Sequence, residues 1–413
     1  MSSHVVDDQR QPNNSISSLS SKLTKPWITT TIFIFVFFFF IILVGASLRW
    51  MDMFLIGGGR IKVTPIFTRN TNATIPKEKL TTPLNFTLQC SLDQNIATQT
   101  CPASNPEKSQ PSKDEPETCP DYFRWIHKDL EAWRETGITR ETLERASDKA
   151  HFRLIIKGGR VYVHQYKKSF QTRDVFTIWG IVQLLRMYPG QVPDLELLFM
   201  CHDSPEIWRR DYRPRPGVNV TWPPPPLFHY CGHSGAFDIV FPDWSFWGWP
   251  EINIKEWNKQ SELISEGIKK VKWEEREPYA YWKGNPGVAM ARAIGRNGSG
   301  YVRKNLKMKY VYDYMLHLLQ SYGKLMKMNV EVPQGAKEVC PETMACPING
   351  GRMRQSMDDS LVMSPSVKAT CEMPPPFEED ELKKFLEKKE SVEKEVEKWT
   401  NEYWQEQKKI LKH

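Results

Sequence analysis

The longest uncharged stretch in the chain runs from Trp27 to Leu48, WITTTIFIFVFFFFIILVGASL, twenty-two positions without a single ionisable side chain. At the rise of an α-helix this length spans the hydrocarbon core of a bilayer. It is too long for the apolar region of a cleaved signal peptide, and no small-residue cleavage pattern closes it. An uncleaved signal anchor is the expectation. Residues 50 to 118 then turn polar, rich in Thr, Pro, Asn, Gln, Ser and Lys with few large apolar side chains after Ile66. Such a segment cannot bury enough apolar surface to offset its ordering entropy, so it reads as a flexible stem. Folded sequence begins near Cys119.

From there strands and helices alternate. FRLIIK and RVYVHQY flank Gly158-Gly159 and predict a hairpin, because paired glycines suit a tight turn between β-branched runs. DVFTIWGIVQLLRM, Asp174 to Met187, predicts an apolar helix stopped by Pro189-Gly190. LELLFMC, Leu195 to Cys201, is nearly continuous apolar sequence, the mark of a central strand covered on both faces. A second such run, AFDIVFP from Ala236 to Pro242, feeds into DWSFWGWPE. Between them WPPPP, Trp222 to Pro226, predicts a rigid extended loop. The periodicity is that of an α/β fold.

Composition narrows the partners. Fifty-six Lys and Arg against 49 Asp and Glu leave a charge of +7 spread over 413 residues, which argues against a dedicated nucleic-acid binder. Lysines flank both sides of the apolar segment, so the positive-inside rule barely orients it. All eight cysteines (Cys90, Cys101, Cys119, Cys201, Cys231, Cys340, Cys346, Cys371) follow it, as do the sequons at Asn72, Asn85, Asn219 and Asn297. That distribution points to an oxidising, glycosylated side. The expected topology is single-pass type II in a Golgi or ER membrane, with the bulk lumenal. The cysteine spacing shows no zinc pattern, and three cysteines near the C-terminus cannot all pair among themselves. Cys201, Cys231 or a stem cysteine is their expected partner.

In open α/β sheets reactive groups sit beyond the carboxyl ends of the strands. Asp203, directly after the Leu195–Cys201 run, stands where a fixed carboxylate could act as a base. The same Asp-Ser before Pro-Glu could instead cap a helical segment at SPEIWRR.

The motifs CPDYFRWI, GITRETLE, RVYVHQY, MCHDSPE, FPDWSFWGWPE and YAYWKGNP, in that order from Cys119 to about Pro286, resemble the Rumi-type protein O-glucosyltransferase family, also called the capsule-associated or KDEL-motif-containing glycosyltransferases. The anchor, the Pro/Thr stem and the tail starting at CEMPPPF look like plant members. The resemblance implies a GT-B-like architecture of two Rossmann-like halves, acceptor bound mainly by the first and a UDP-sugar by the second. It implies inverting, metal-independent chemistry with no cofactor beyond the UDP-sugar donor substrate. Asp203 matches the family's catalytic base. Phe170 and Arg173 match its acceptor-lining stretch, and Trp244, Trp247, Trp249 and Pro250 its aromatic loop. For each Trp singly, a core position is the competing reading. Lys283, Gly284 and Asn285 match the start of the donor half, where a glycine admits a phosphate and a lysine supplies charge to the leaving group.

After Pro286 the sequence departs from that pattern. GVAM leads almost at once into ARAIGRNGSGYVRKNLKMKYVYDYMLHLLQSYGKL, which resembles the family's closing helices. The 47 residues from Tyr279 to Leu325 offer one short strand and one amphipathic helix with Tyr310, Tyr314, Leu318 and Tyr322 on one face. A nucleotide-binding half needs several strands with long crossovers, so it is truncated here. GRNGSG reads as a turn between helices rather than a phosphate loop, since its glycine spacing is wrong and no strand precedes it. From Phe377 a long helix follows, with nine Lys, eleven acidic residues and an apolar stripe of Leu382, Phe385, Leu386, Val392, Val396, Trp399 and Tyr403. That stripe is expected to pack on the body.

The expected organisation is a cytosolic tail (1–26), a transmembrane signal anchor (27–48), a lumenal stem (49–118), a complete acceptor-side domain (119–278), a truncated nucleotide-sugar half (279–335), a Cys/Pro-containing loop (336–376) and a C-terminal helix (377–413). Two functions fit. One is a membrane-anchored inverting glycosyltransferase that moves glucose or xylose from a UDP donor to a protein or polysaccharide hydroxyl. The other is a non-catalytic acceptor- or glycan-binding membrane protein derived from such an enzyme. Either binds its membrane through the N-terminal helix and binds no nucleic acid.

Overall fold

Two runs of β-branched and aromatic residues flank Gly158-Gly159, and they pair as the sequence predicts. β1 (Phe152–Lys157) and β2 (Arg160–Gln165) form an antiparallel hairpin whose two glycines take φ of 57° and 74°. Positive φ at both central positions matches the right-handed twist of the strands, which is why glycine stands at both. The computed structural model describes residues 86–90, 99–103, 116–213, 222–271, 275 and 292–410. All of these belong to one compact unit, Leu80–His413. The expected anchor at 27–48 lies outside the described residues. Among those described, no helix is long and apolar enough to cross a membrane.

The helices in chain order are α1 (Trp125–Asp129), α2 (Arg140–Glu144), α3 (Arg173–Met187), α4 (Trp257–Lys270), α5 (Arg292–Asn305), α6 (Met308–Leu325), α7 (Pro341–Ala345), α8 (Gly351–Asp359) and α9 (Glu379–Ile410). The remaining strands are β3 (Leu195–Phe199), β4 (Phe228–His229), β5 (Ile239–Val240) and β6 (Lys337–Val339). They make one six-stranded sheet in the order β5-β4-β3-β1-β2-β6. β3, β4 and β5 are mutually parallel, while β1 runs antiparallel to β3 and β2 antiparallel to β6. The fold is therefore mixed α/β. β3 is buried along its whole length, as its unbroken apolar run requires.

The core forms where α3 and α6 meet the sheet. α3 is apolar nearly all round, and Phe176, Trp179, Ile181 and Leu184 are all fully buried. α6 lays Tyr322 edge-on against Phe228 of β4 at 5.0 Å, and the Tyr322 hydroxyl donates to the Glu196 carbonyl at 3.2 Å. The one charged residue of β3, Glu196, is fully buried and takes both guanidinium nitrogens of Arg140 at 2.6 Å. The buried guanidinium of Arg153 lies 3.7 Å from the same carboxylate and the Glu331 N–H donates to it at 3.1 Å, so its charge is compensated from more than one side.

Several expectations are corrected here. GRNGSG lies inside α5 rather than in a turn, so the segment after the sequence jump holds two consecutive helices, α5 and α6, separated by two residues. Of the partners expected for the C-terminal cysteines, the stem ones are taken, as Cys90–Cys346 and Cys101–Cys340, while Cys371 pairs with Cys119 and Cys201 and Cys231 are free. The apolar stripe of α9 does not pack on the body along its length. Its first two turns do, through Arg124–Glu381 at 2.6 Å and Trp125 against Phe377 and Phe385 at 5.1 and 5.6 Å. Beyond them Val392, Val396, Trp399 and Tyr403 are exposed.

Candidate functional site

Because β3, β4 and β5 are parallel, their carboxyl ends share one edge, and the loops that follow them converge there: Cys201–Asp203, Tyr230–Ser234 and Phe241–Trp244. α3 returns the chain from β2 to β3, which puts its N-terminus, with Arg173, at the same edge. His151 also arrives there, because β1 is antiparallel to β3. Its Nδ1 accepts the Cys201 N–H at 3.1 Å, and burial lowers its pKa, so the ring holds the β3 terminus as a neutral acceptor.

Asp203 is the reactive-looking group at this edge. Its carboxylate receives two hydrogen bonds from Arg173, at 2.7 Å on Oδ1 and 3.3 Å on Oδ2, and yet its side chain is 76% exposed. Arg173 itself is buried, also donates to the Cys201 carbonyl at 2.9 Å, and lies 4.5 Å over Trp244 and 5.3 Å from Phe170. A guanidinium held from three directions fixes the carboxylate without hiding it, since a two-pronged bond sets orientation as well as distance. Asp203 does not cap SPEIWRR. The helical turn there begins only at Arg209, and the Glu206 and Ile207 N–H groups are taken instead by the Asp238 carboxylate at 3.0 Å.

The other sequence-predicted residues separate into two groups. Phe170, 61% exposed, lies 5.3 Å from the Arg173 guanidinium that holds Asp203, and half-buried Trp249 packs on Trp244 behind that guanidinium. The Trp249 indole donates to Gln171 Oε1 at 2.7 Å, and Gln171 takes a left-handed φ of 56°. That strain is the kind stored where side chains must be aimed. Pro250 is buried and opens the turn whose Glu251 accepts the Thr172 hydroxyl at 3.0 Å, which ties the aromatic loop to the start of α3. Trp244 is buried between Arg173, Tyr230 at 4.8 Å and Trp249 at 5.3 Å, so it supports the guanidinium from behind. Trp247 is not at the site: it is fully buried against Gly180 of α3, and its indole donates to the Tyr312 hydroxyl at 3.0 Å. Lys283, Gly284 and Asn285 lie outside the described residues.

Sequence reasoning missed Tyr230, His151 and Asp238. Tyr230 bridges Thr177 Oγ1 at 2.5 Å and Cys201 Sγ at 3.4 Å. The signal available was its place after a short strand, but β4 is two residues long and follows four prolines, so no periodicity marks it. Burial pushes Cys201 up to about 12, and burial followed by the charges of Asp203 and Asp243 raises Cys231. Cys119, His317 and Cys371 bring three potential ligand atoms within 4.8 Å, but both sulfurs are spent in a disulfide.

A polar, rigidly held carboxylate open to solvent, with its guanidinium partner bordered by aromatic faces, can take a proton from a hydroxyl docked beside it. The sequence model of glycosyl transferase family 90 matches residues 114–293 and 289–400. Among curated proteins the chain is similar to the O-glucosyltransferase rumi homolog of Anopheles gambiae, 26% identical over 167 residues, 39% of this chain and 37% of that one. It is similar to O-glucosyltransferase rumi of Drosophila melanogaster, 23% identical over 176 residues (40% and 39%). It is also similar to Protein O-glucosyltransferase 1 of Homo sapiens, 24% identical over 179 residues (41% of each). The chain thus spans about two fifths of the length of the curated relatives it matches. The family match covers more than half of the chain, which belongs to glycosyl transferase family 90.

Proposed function

We propose that this family member is a membrane-anchored inverting glycosyltransferase that moves glucose or xylose from a UDP donor to a protein or polysaccharide hydroxyl, with Asp203 as general base. The observation that carries the reading is the Arg173–Asp203 pair at the end of β3, a carboxylate oriented by a buried guanidinium and open to solvent. The acceptor hydroxyl gives its proton to Asp203 as its oxygen forms the new bond to the anomeric carbon. The bond from that carbon to the diphosphate breaks in line, and UDP leaves with the electron pair. Lys283, Gly284 and Asn285 are assigned to the diphosphate in a GT-B-like second half, and no metal takes part. The Trp27–Leu48 segment, the sequons and the three disulfides support a type II placement in the Golgi or ER with the bulk lumenal.

A second reading has its own observation. The family match falls into two pieces that meet at residues 289–293, where the sequence jumps past the expected donor segment. A chain so built binds an acceptor or glycan without turning over a donor. Purified full-length protein supplied with UDP-glucose or UDP-xylose and with hydroxyl acceptors of both kinds, a serine-containing polypeptide and a polysaccharide, separates the two. On the first reading it releases UDP, and Asp203→Asn lowers that rate about a hundredfold or more, the usual contribution of a positioned base. An unchanged rate in Asp203→Asn refutes the base assignment. Absence of release, together with a melting temperature that UDP does not raise, establishes the second reading.

A further inference from the structure

A cavity of about 740 Å³ opens alongside the Asp203 site, where β4 and β5 end. Its walls include the aromatic side chains of Tyr122, Trp125, Phe237 and Phe246. Two polar side chains in its lining are incompletely satisfied. Asp129, at the end of α1, accepts the backbone N–H of Val240 on the edge strand β5, but its Oδ2 is buried without a partner among the described residues. Arg209 lies flat on Phe237 at 4.1 Å, and its Nε is likewise buried and unpartnered. The other carboxylates in the lining are engaged, Asp238 with the Glu206 and Ile207 N–H groups and Asp243 with Ser245 N–H at 2.9 Å. The polar demand of the cavity is therefore one acceptor at Asp129 and one donor at Arg209.

That demand selects an occupant by elimination. The lining carries charges of both signs, Asp129, Asp238 and Asp243 against Arg209, Lys128 and Lys389, so neither an anion nor a cation is favoured. A purely apolar ligand would leave both buried atoms unpaired, at the cost of the hydration they lose. A neutral polyol with apolar C–H faces meets all three conditions: one hydroxyl donates to Asp129, another accepts from Arg209, and the faces stack on the rings. The volume is within the range of roughly 300–1,000 Å³ usual for ligand pockets. Packed side chains link the cavity to the base. Tyr230 lines it and packs on Trp244, which carries the Arg173 guanidinium.

We propose that this cavity is a saccharide subsite, held by Asp129 and Arg209, through which the chain recognises a glycan portion of its acceptor. The inference deepens the proposed function and rests on it only for the word acceptor. A carboxylate kept in a place that disfavours its own ionisation is also what a binding role would explain, because packing alone would be better served by an amide.

The test uses full-length protein at pH 8, where Asp129 is ionised and accepts, in a detergent without a sugar headgroup, titrated with cellobiose, xylobiose and maltose while tryptophan fluorescence is followed. At least one disaccharide is expected to bind, with affinity reduced about tenfold or more in Asp129→Asn and in Arg209→Gln. Asn keeps an acceptor for Val240 N–H while presenting a donor in place of Oδ2, so the variant is expected to stay folded and to melt no lower than the parent; Arg209→Gln serves as the second readout should Asn unfold. Asp203→Asn is expected to leave the affinity unchanged. The proposal is overturned if none of the three binds at about 10 mM, if binding ignores both cavity substitutions, or if an unglycosylated peptide fills the cavity in their place. Saccharide binding without UDP-sugar turnover would sink the transferase reading and leave this one standing.

Discussion

Two carboxylates near the same sheet edge are treated in opposite ways. Asp203 projects into solvent with a guanidinium on its inner side, whereas Asp129 is buried against an edge strand. Burial raises Asp129 to about 7, outweighing the Val240 N–H and the charges of Arg209 and Lys128, which all pull it down. The folded state therefore holds this proton at pH values where the unfolded chain has released it. Its favourable contribution is fully present below the unfolded pKa near 4 and is lost as pH rises towards 7. Asp129→Asn cannot ionise, so it is expected to remove that decline and to be the more stable protein at pH 8, by roughly 2–4 kcal/mol. Denaturant midpoints of the two proteins at pH 4, 6 and 8 check this. Parallel pH profiles would mean that Asp129 is solvated and ordinary.

At the scale of elements, α3 and the 3-10 turn Trp244–Trp247 show how one packing contact sets the site. Gly180 sits mid-helix, where glycine is normally a weakness and alanine an improvement of about 0.5–1 kcal/mol. Here a Cβ would fall 2.5 Å from the Trp247 indole, a fully buried ring anchored to Tyr312. The clash reverses the sign, and Gly180→Ala is expected to lose about 1–3 kcal/mol of stability in denaturant unfolding; a gain would show that α3 and the turn can separate. That contact also explains what was legible in the sequence. The hairpin, α3 and β3 follow from local periods and glycine pairs, and so are found where expected. Trp247 and Trp249 stand two residues apart in the same aromatic run, and nothing local tells the one wedged behind α3 from the one that faces Gln171. Asp203 was readable as a strand-end carboxylate, but its freedom from capping depends on Asp238, supplied by a strand 35 residues later. The stripe of α9 misled for a related reason. Leu382 and Leu386 are half buried where the first turns meet the body, and the same helical period then continues over residues that meet solvent.

The whole molecule is closed by three disulfides that join nearly the same two regions, 90–119 and 340–371, across 239 to 256 residues. In the chain-entropy account a cross-link stabilises by the loop it closes, about 4.7 kcal/mol for a 100-residue loop and slowly more beyond. These three do not each close the long loop independently. Once Cys101–Cys340 exists, Cys90 is only eleven residues before one end of it and Cys346 six after the other. The Cys90–Cys346 bond then removes the entropy of a short circuit, about 3 kcal/mol. Replacing Cys90 and Cys346 by serine is expected to cost about that much while the other two bonds are intact. In a chain already lacking those two, the same replacement opens the long loop and costs about 5 kcal/mol. Equilibrium unfolding of the four proteins measures both differences. Equal costs would mean that each bond acts through its local packing. Unequal costs would mean that any one of the three holds the C-terminal segments to the start of the folded region, and with them the Cys371 loop that accepts from His317 of α6.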